Sequence, residues 1–534
     1  MHLENITVIL LLLAVVTALA EIADQVKIPY PVLLVLAGIG IGLIPNLPSV
    51  EMSPEVVFLI FLPPALYSAA WTTSWPDFKA NSRAISLLAV GCVLFTTLAI
   101  AVVAHYAIPG FGWAESFVLG AIISPPDAVA AGAAMKGLSV PKRLITILEG
   151  ESLVNDATGL IAMRYAIAAT ATGTFIFWLA SINFFYVAGV GIIIGLIIGQ
   201  LFFWIHRITP DNPTTDTTLT FIAPYVAYVV AEQIHVSGVL SVVACGLFLS
   251  QRSSQIFKHE SRIQAYSTWD TVTFILNGVI FILIGLQLPH VLANIQEHSF
   301  STLLWYGAII SLAAIISRIV WVFPAAYIPR WLSKRIRTNE ARPNASNVSI
   351  VAWSGMRGVV SLAAALALPL TIGENMAFPN RDLIIFLTFA VIFATLVLQG
   401  MTLPFVVKKL KVKGDEGGKL LEDQARFTIA SSLIEHIEEN YSLGLHDEIL
   451  SKIKSKYEIR IQRLSKDNSL NKLTDEQIQE FLAIQGKLIN QERLFLEDLR
   501  KQGKIGDEAI RKIEYELDLE ESRLTLELEE AEVF

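Results

Sequence analysis

Charge is the first thing this sequence lacks. Asp, Glu, Lys and Arg make up 16% of its 534 residues, against about 25% in soluble domains, while 54% are hydrophobic. From Ile6 to about Val407, apolar runs of the length that spans a bilayer recur. Cysteine is scarce too. Cys92 and Cys245 both fall inside apolar runs, which excludes a disulfide framework or a thiolate metal site and leaves them as packing residues. The opening stretch "MHLENITVILLLLAVVTALAEIA" holds no Lys or Arg. It therefore lacks the cationic start of a signal peptide, despite the cleavage-like "ALA", and reads as a retained helix. No Gly-rich phosphate loop or His/Cys cluster is present, and "GESLVND" is not the G-x-S-x-G nucleophile turn. An enzyme and a resident cofactor are both excluded on this reading.

The charge that exists is unevenly placed. Of 40 Lys and Arg, 19 lie before residue 408, and of 48 Asp and Glu, 20 do. Nearly all of the net charge of −8 therefore sits in residues 408–534. The chain divides into a membrane domain, 1–407, and a charged tail, 408–534. An acidic tail argues against nucleic acid and against docking on anionic lipid. Its segments "SSLIEHIEENYSL", "EILSKIKSKYEIRIQRL", "IQEFLAIQGKLINQERLFLEDL" and "AIRKIEYELDLEESRLTLELEE" show apolar residues at three- and four-residue spacing. Polar breaks at "SKDNSLNKLTDE" and "KQGKIGDE" separate them, so the tail is expected to be a small helical bundle, regulatory or merely solubilising.

About thirteen apolar spans can be marked in the membrane domain, which makes it an all-α polytopic membrane protein. If successive loops alternate sides, the cationic loop residues from Lys27 to Arg342 share one side, and Arg381 alone falls on the other. By the positive-inside rule the N-terminus is outside and the tail is cytoplasmic. Arg164, Arg318 and Arg357 remain within spans, with Asp127, Glu149, Glu151 and Asp156. Each is costly in hydrocarbon, by about 3 kcal/mol when unpaired.

Two spans are interrupted. In "VLGAIISPPDAVAAGAAM", Pro125 and Pro126 remove helix hydrogen bonds and should open the fifth span near its middle, beside Asp127. In "WSGMRGVVSLAAALALP", Gly355 and Gly358 flank Arg357 in the twelfth. The two spans run in opposite directions, and each is the fifth member of a six-span block. Interrupted helices at matching places in two inverted six-helix repeats point to a transport site at the midplane.

The sixth span carries "LEGESLVNDATGLIAM". Ser152 and Asp156 are four apart and share a helix face, with Asn155 beside them. By helical rise Asp127 lies roughly 14 Å from the cytoplasmic end and Asp156 about 21 Å. Carboxylates, a hydroxyl and freed carbonyls are hard oxygen ligands for a small dehydrated cation. A carboxylate held away from water also takes a proton readily. Cation and proton then compete for one group, which suffices for exchange.

Six motifs in order, "FLPPALYSAAW", "ISPPDAVAA", "EGESLVNDATGL", "AEQIHVSGVL", "LNGVIFILIGLQLP" and "SGMRGVVSL", resemble the monovalent cation/proton antiporters, the bacterial NhaP-like Na⁺/H⁺ exchangers and their animal relatives. The resemblance implies Asp156 as the main ion- and proton-binding carboxylate, with Asp127 and Ser152 as partners. It makes Asn155 the neutral member of an "ND" pair, and so implies electroneutral exchange of one cation per proton. It also implies that Glu151 pairs with an arginine: Arg318 is the first choice and Arg357 the second. A homodimer in the cell membrane follows from the resemblance alone. Many relatives carry an acid where this chain has Ser68, and Pro126 replaces the threonine of their "TDP". Na⁺ or Li⁺ exchanged for H⁺, serving pH and sodium homeostasis, is the leading expectation. K⁺/H⁺ exchange and a passive cation channel are the alternatives. Glu149 reads as an entrance carboxylate or a solvated one, Arg164 as paired or reaching outward, and His235 as a loop histidine.

Overall fold

A computed structural model describes residues 3–26, 28–44, 54–172, 177–295, 299–339, 342–372 and 376–412, and within the tail chiefly 416–441, 475–501 and 516–525. The chain forms two compact units, Met1–Gly414 and Asp415–Phe534.

The first unit is built of helices α1 (Leu3–Val26), α2 (Tyr30–Gly42), α3 (Pro54–Thr72), α4 (Ser82–Ala107), α5 (Trp113–Ile123), α6 (Ala128–Met135), α7 (Lys142–Thr172), α8 (Phe177–Ile208), α9 (Pro213–Gln233), α10 (Gly238–Gln251), α11 (His259–Asn294), α12 (Phe300–Leu332), α13 (Ala345–Trp353), α14 (Val359–Leu366) and α15 (Arg381–Lys409). Among the described residues, six segments are long and apolar enough to cross a membrane: Ser82–Ala107, Trp113–Met135, Ala180–Ile208, His259–Pro289, Phe300–Leu332 and Arg381–Lys409. The protein is thus a mostly helical membrane protein. Polar loop residues start the helices where a side chain can satisfy a free N–H. Asn212 caps α9, Ser237 caps α10, Ser299 caps α12 and Asn344 caps α13. Between α14 and α15 the chain adds a small antiparallel ribbon, Thr371–Ile372 with Met376–Ala377.

Burial sorts the helices. α15 is 72% buried along its most apolar window and runs through the interior, whereas α8 is 22% buried and lies at the rim. Ile100 of α4, Leu119 of α5, Ile310 of α12 and Leu387 of α15 share one apolar core. Tyr67 of α3, Phe202 of α8, Val242 of α10 and Trp269 of α11 share another. A third joins Val35 of α2 and Phe281 of α11 to Ala131 of α6 and Ile392 of α15.

Two proline pairs behave differently. Pro63 and Pro64 sit inside α3 without ending it. Pro64 deprives the carbonyl four residues back, Ile60, of its partner, and the Tyr225 hydroxyl of α9 donates there at 3.3 Å. Pro125 and Pro126 instead fall in the non-helical stretch 124–127 between α5 and α6. In α4 a wide π-helical turn spans Leu87–Cys92, and the Leu87 carbonyl accepts the Trp321 indole N–H at 2.9 Å.

In the second unit Glu416–Tyr441 and Asp475–Lys501 are helical. Ile489, Leu496, Leu517 and Leu524 are buried there, and Arg493 donates to Asp518 and Glu521 at 2.6 Å each. Of the expected breaks, residues 465–474 and 502–508, and most of "EILSKIKSKYEIRIQRL", lie outside the described residues, as does Lys27; Asp475, Glu476 and Lys501 fall at the ends of the second helix. The first compact unit runs to Gly414, a few residues past the boundary at 407 read from composition.

Candidate ion-exchange site

The two interruptions meet. Residues 124–127 and 354–358 are non-helical, and the Asp127 N–H donates to the Met356 carbonyl at 2.7 Å. The carbonyls freed by the breaks are met by side chains, as burial demands. Ile123, the last residue of α5, accepts from Arg357 Nε at 2.7 Å. Pro126 accepts from Asn155 Nδ2 of α7 at 2.7 Å. Val351, near the end of α13, accepts from Arg318 Nε at 3.2 Å, and Gly355 accepts from Arg357 Nη1.

The same arrangement explains both glycines of "SGMRG". A Cβ on Gly355 would run into the Arg318 side chain, and one on Gly358 into the Asp127 carboxylate. Neither position is left-handed, so space and not backbone freedom selects glycine here.

Three buried charges form a cluster on one side of the breaks. Arg318 of α12 makes a two-pronged ion pair with Glu151 of α7, at 2.5 and 2.8 Å, with both side chains about 1% exposed. The first-choice arginine is therefore the one bonded to Glu151, while Arg357 serves backbone carbonyls. Two arginines against one glutamate leave one positive charge. The C-terminal ends of α5 and α13, where those guanidiniums bond, each carry about half a negative charge. On the other side the N-terminal ends of α6 and α14 each carry about half a positive charge. Asp127 caps α6 by accepting from Val129 N–H at 2.8 Å, and Gly358, the cap residue of α14, lies against its carboxylate. Asp127 is thus balanced by two helix ends.

Asp156 is not. It is 8% exposed, and among the described residues no hydrogen bond holds its carboxylate. It lines a cavity of about 90 Å³ together with Asp127, Ser152 and both prolines, which is room for about three waters. Ser152 Oγ accepts from Ala128 N–H at 3.4 Å, so it also steadies the start of α6. Asp127 and Asp156, expected from helical rise to differ by about 7 Å in depth, line the same cavity, with 124–127 unwound beside it. Asn155 is fully buried but does not line this cavity; among the described residues its Oδ1 has no partner.

Other polar residues find local partners. Arg164 pairs with Glu232 at 2.7 Å, and Glu232 also accepts from Gly238 N–H. His235 adopts a left-handed turn conformation, φ 60°, and its N–H donates to the Glu232 carbonyl at 3.0 Å. Glu149 is half-buried and is not among the cavity residues. Ser68, where many relatives have an acid, accepts from Thr273 Oγ1 at 2.9 Å. Sequence reasoning missed two polar residues of the cavity wall, Asn277 and Ser361. The available signal was a polar side chain within an apolar stretch, Asn277 ahead of "GVIFILIGL" and Ser361 in "VVSLAAALAL".

The sequence profile of the family described as sodium/hydrogen exchanger, transmembrane, matches residues 10–409. The chain is 32% identical, over 92% of its length and 76% of the other, to the sodium, potassium, lithium and rubidium/H⁺ antiporter of Bacillus pumilus. It is 32% identical, over 78% of its length and 77% of the other, to the low-affinity Na⁺/H⁺ antiporter NhaS1 of Synechocystis. Its fold is similar to that of the sodium proton antiporter MjNhaP1 of Methanocaldococcus jannaschii, with a TM-score of 0.60 at 20% identity, covering 76% of this chain and 98% of that one.

Proposed function

The chain belongs to the sodium/hydrogen exchanger family, a family of multi-pass membrane transporters, and from that premise we propose that it exchanges Na⁺ or Li⁺ for H⁺ one for one across the cell membrane, supporting pH and sodium homeostasis. The observation that carries this reading is the cavity at the crossing of two interrupted helices, where Asp156, without a hydrogen bond among the described residues, stands beside a balanced Asp127.

Asp156 binds the cation or the proton, and never both. Ser152, Asp127 and the backbone of the break complete the cation's oxygen shell. Because helix ends compensate Asp127, one carboxylate changes its charge per cycle. A loaded site is neutral with either ion and can cross, whereas the empty anionic site is penalised in low dielectric. Asn155 serves the site by holding the Pro126 carbonyl in place. In this reading thirteen spans form two inverted repeats, the N-terminus is outside, residues 1–407 carry the exchange and the cytoplasmic tail regulates it. The transporter works as a homodimer in lipid.

A second reading, K⁺/H⁺ exchange, is supported by relatives such as the Bacillus pumilus protein, whose name includes potassium and rubidium beside sodium and lithium. Proteoliposomes enclosing a pH dye decide. Adding Na⁺, Li⁺ or K⁺ outside should move protons and rank the ions. Conductance without proton movement would indicate a passive channel and sink the exchange reading.

A further inference from the structure

The cavity has two unlike walls. The break ahead of α6, with α7 and α14, gives it Asp127, Ser152, Asp156 and Ser361. The opposite wall comes from α3 and α11 and is apolar, with Leu62, Leu66 and Ile280 among its side chains and one exception, Asn277 of α11. A bare cation at Asp156 does not fill about 90 Å³, so it keeps water on the side away from the carboxylate, and a buried water needs two to four polar partners (about three on average). On that side Asn277 is the polar side chain that can serve.

The structure also holds this amide in place. Tyr30, at the start of α2, has its ring against Phe274 and Phe281, with centroids 6.4 and 6.5 Å away. Those two residues flank Asn277 on one face of α11. The Tyr30 side chain is thereby set beside that of Asn277. α2 and α11 approach so closely that a Cβ on Gly38 would meet the Ile282 carbonyl, and one on Gly285 the backbone of α2. Such contact leaves little freedom for the Tyr30–Asn277 pair to shift.

We propose that Asn277 is a specificity-determining residue of the exchange site, its amide binding the water that the cation retains at Asp156, with Tyr30 as the positioning residue behind it. The proposal rests on the exchange reading above and assigns it a second wall. The amide is neutral, so it discriminates among ions by how much water they keep without adding a group that takes a proton. A small, strongly hydrated ion and a larger, weakly hydrated one present different water positions to it.

The test uses the full chain in pH-dye proteoliposomes, with Na⁺, Li⁺ and K⁺ titrated against wild type, Asn277→Ala, Tyr30→Phe and the double variant. Asn277→Ala should raise the cation concentration for half-maximal rate about five- to tenfold, the worth of one neutral hydrogen-bonding group. The maximal rate should hold, and the shift should be unequal among the three ions. Tyr30→Phe should move the same constant in the same direction, and the double variant should go no further than Asn277→Ala alone. Unchanged constants and ion ranking in Asn277→Ala would overturn the proposal, as would additive effects of the two substitutions. Calorimetric titration of purified protein with NaCl reads the same residue without transport: binding weakened by Asn277→Ala supports the assignment and unweakened binding overturns it. Proton movement absent from wild type would count against the exchange reading alone.

Discussion

The backbone N–H of Asp127 donates to the carbonyl of Met356 at 2.7 Å, so each interrupted helix meets a need created by the other. The contact fixes a carboxylate against Gly358 and sets the cavity beside Asp156. Rigid positioning of this kind makes the site sensitive to small insertions of volume.

Gly358→Ala should therefore be severe. Its methyl group would displace the Asp127 carboxylate, at a strain of about 1–3 kcal/mol. Transport should fall by at least about tenfold, the equivalent of 1.4 kcal/mol, in protein that still purifies as a folded species. Gly40→Ala, where an added methyl meets nothing within 4 Å, should transport normally. Dye-reported rates of the two variants make the comparison.

The two buried arginines should differ in worth. Arg318→Ala leaves Glu151 ionised without its partner in a site about 1% exposed, a loss of about 3–5 kcal/mol, and also frees the Val351 carbonyl, a further cost of about 1–3 kcal/mol. Arg357→Ala frees the carbonyls of Ile123 and Gly355, each an unsatisfied acceptor costing about 1–3 kcal/mol. Thermal unfolding of purified protein should rank Arg318→Ala as the less stable. Glu151→Ala combined with Arg318→Ala should recover part of the loss.

Asn155→Ala separates support from ligation. It removes the donor to Pro126, so melting temperature should drop by the worth of about one buried hydrogen bond, 1–3 kcal/mol. The order of preference among Na⁺, Li⁺ and K⁺ should stay the same in the transport assay. A changed order would put Asn155 among the ligands.

Competition fixes the pH dependence. A proton on Asp156 blocks the cation, so apparent cation affinity should be lost as pH falls and regained as it rises. In the range where the acid is mostly protonated, the half-saturating Na⁺ concentration should rise about tenfold per pH unit lowered. One carboxylate changing charge also predicts a rate unaffected by a clamped membrane potential, whereas a rate that follows voltage would require a second transferred charge.

Much of this was readable in the sequence, for identifiable reasons. A proline pair followed by Asp127, and glycines around Arg357, violate the needs of a membrane helix strongly enough to mark the breaks. Periodicity placed Ser152 and Asp156 on one face. Other features depend on what lies across the fold. "PP" occurs in both α3 and the break, and the difference is whether the freed carbonyl finds Tyr225 or a site. Arg318 and Arg357 both lie within spans, so depth along the chain does not choose between them, and only the fold, which brings Arg318 of α12 to Glu151 of α7, assigns Glu151 to the first. Asn277 shows in the sequence only as a polar side chain in an apolar stretch, and its place in the cavity wall beside Tyr30 of α2 is set by the fold.

The central claim is that one acid serves sodium and proton in turn, and counting protons released on Na⁺ binding tests it most directly. At a pH where the acid is largely protonated, weakly buffered purified protein should release close to one proton per Na⁺ bound, and Asp156→Asn should release none. Sodium bound without proton release, or release that survives in Asp156→Asn, would contradict the account.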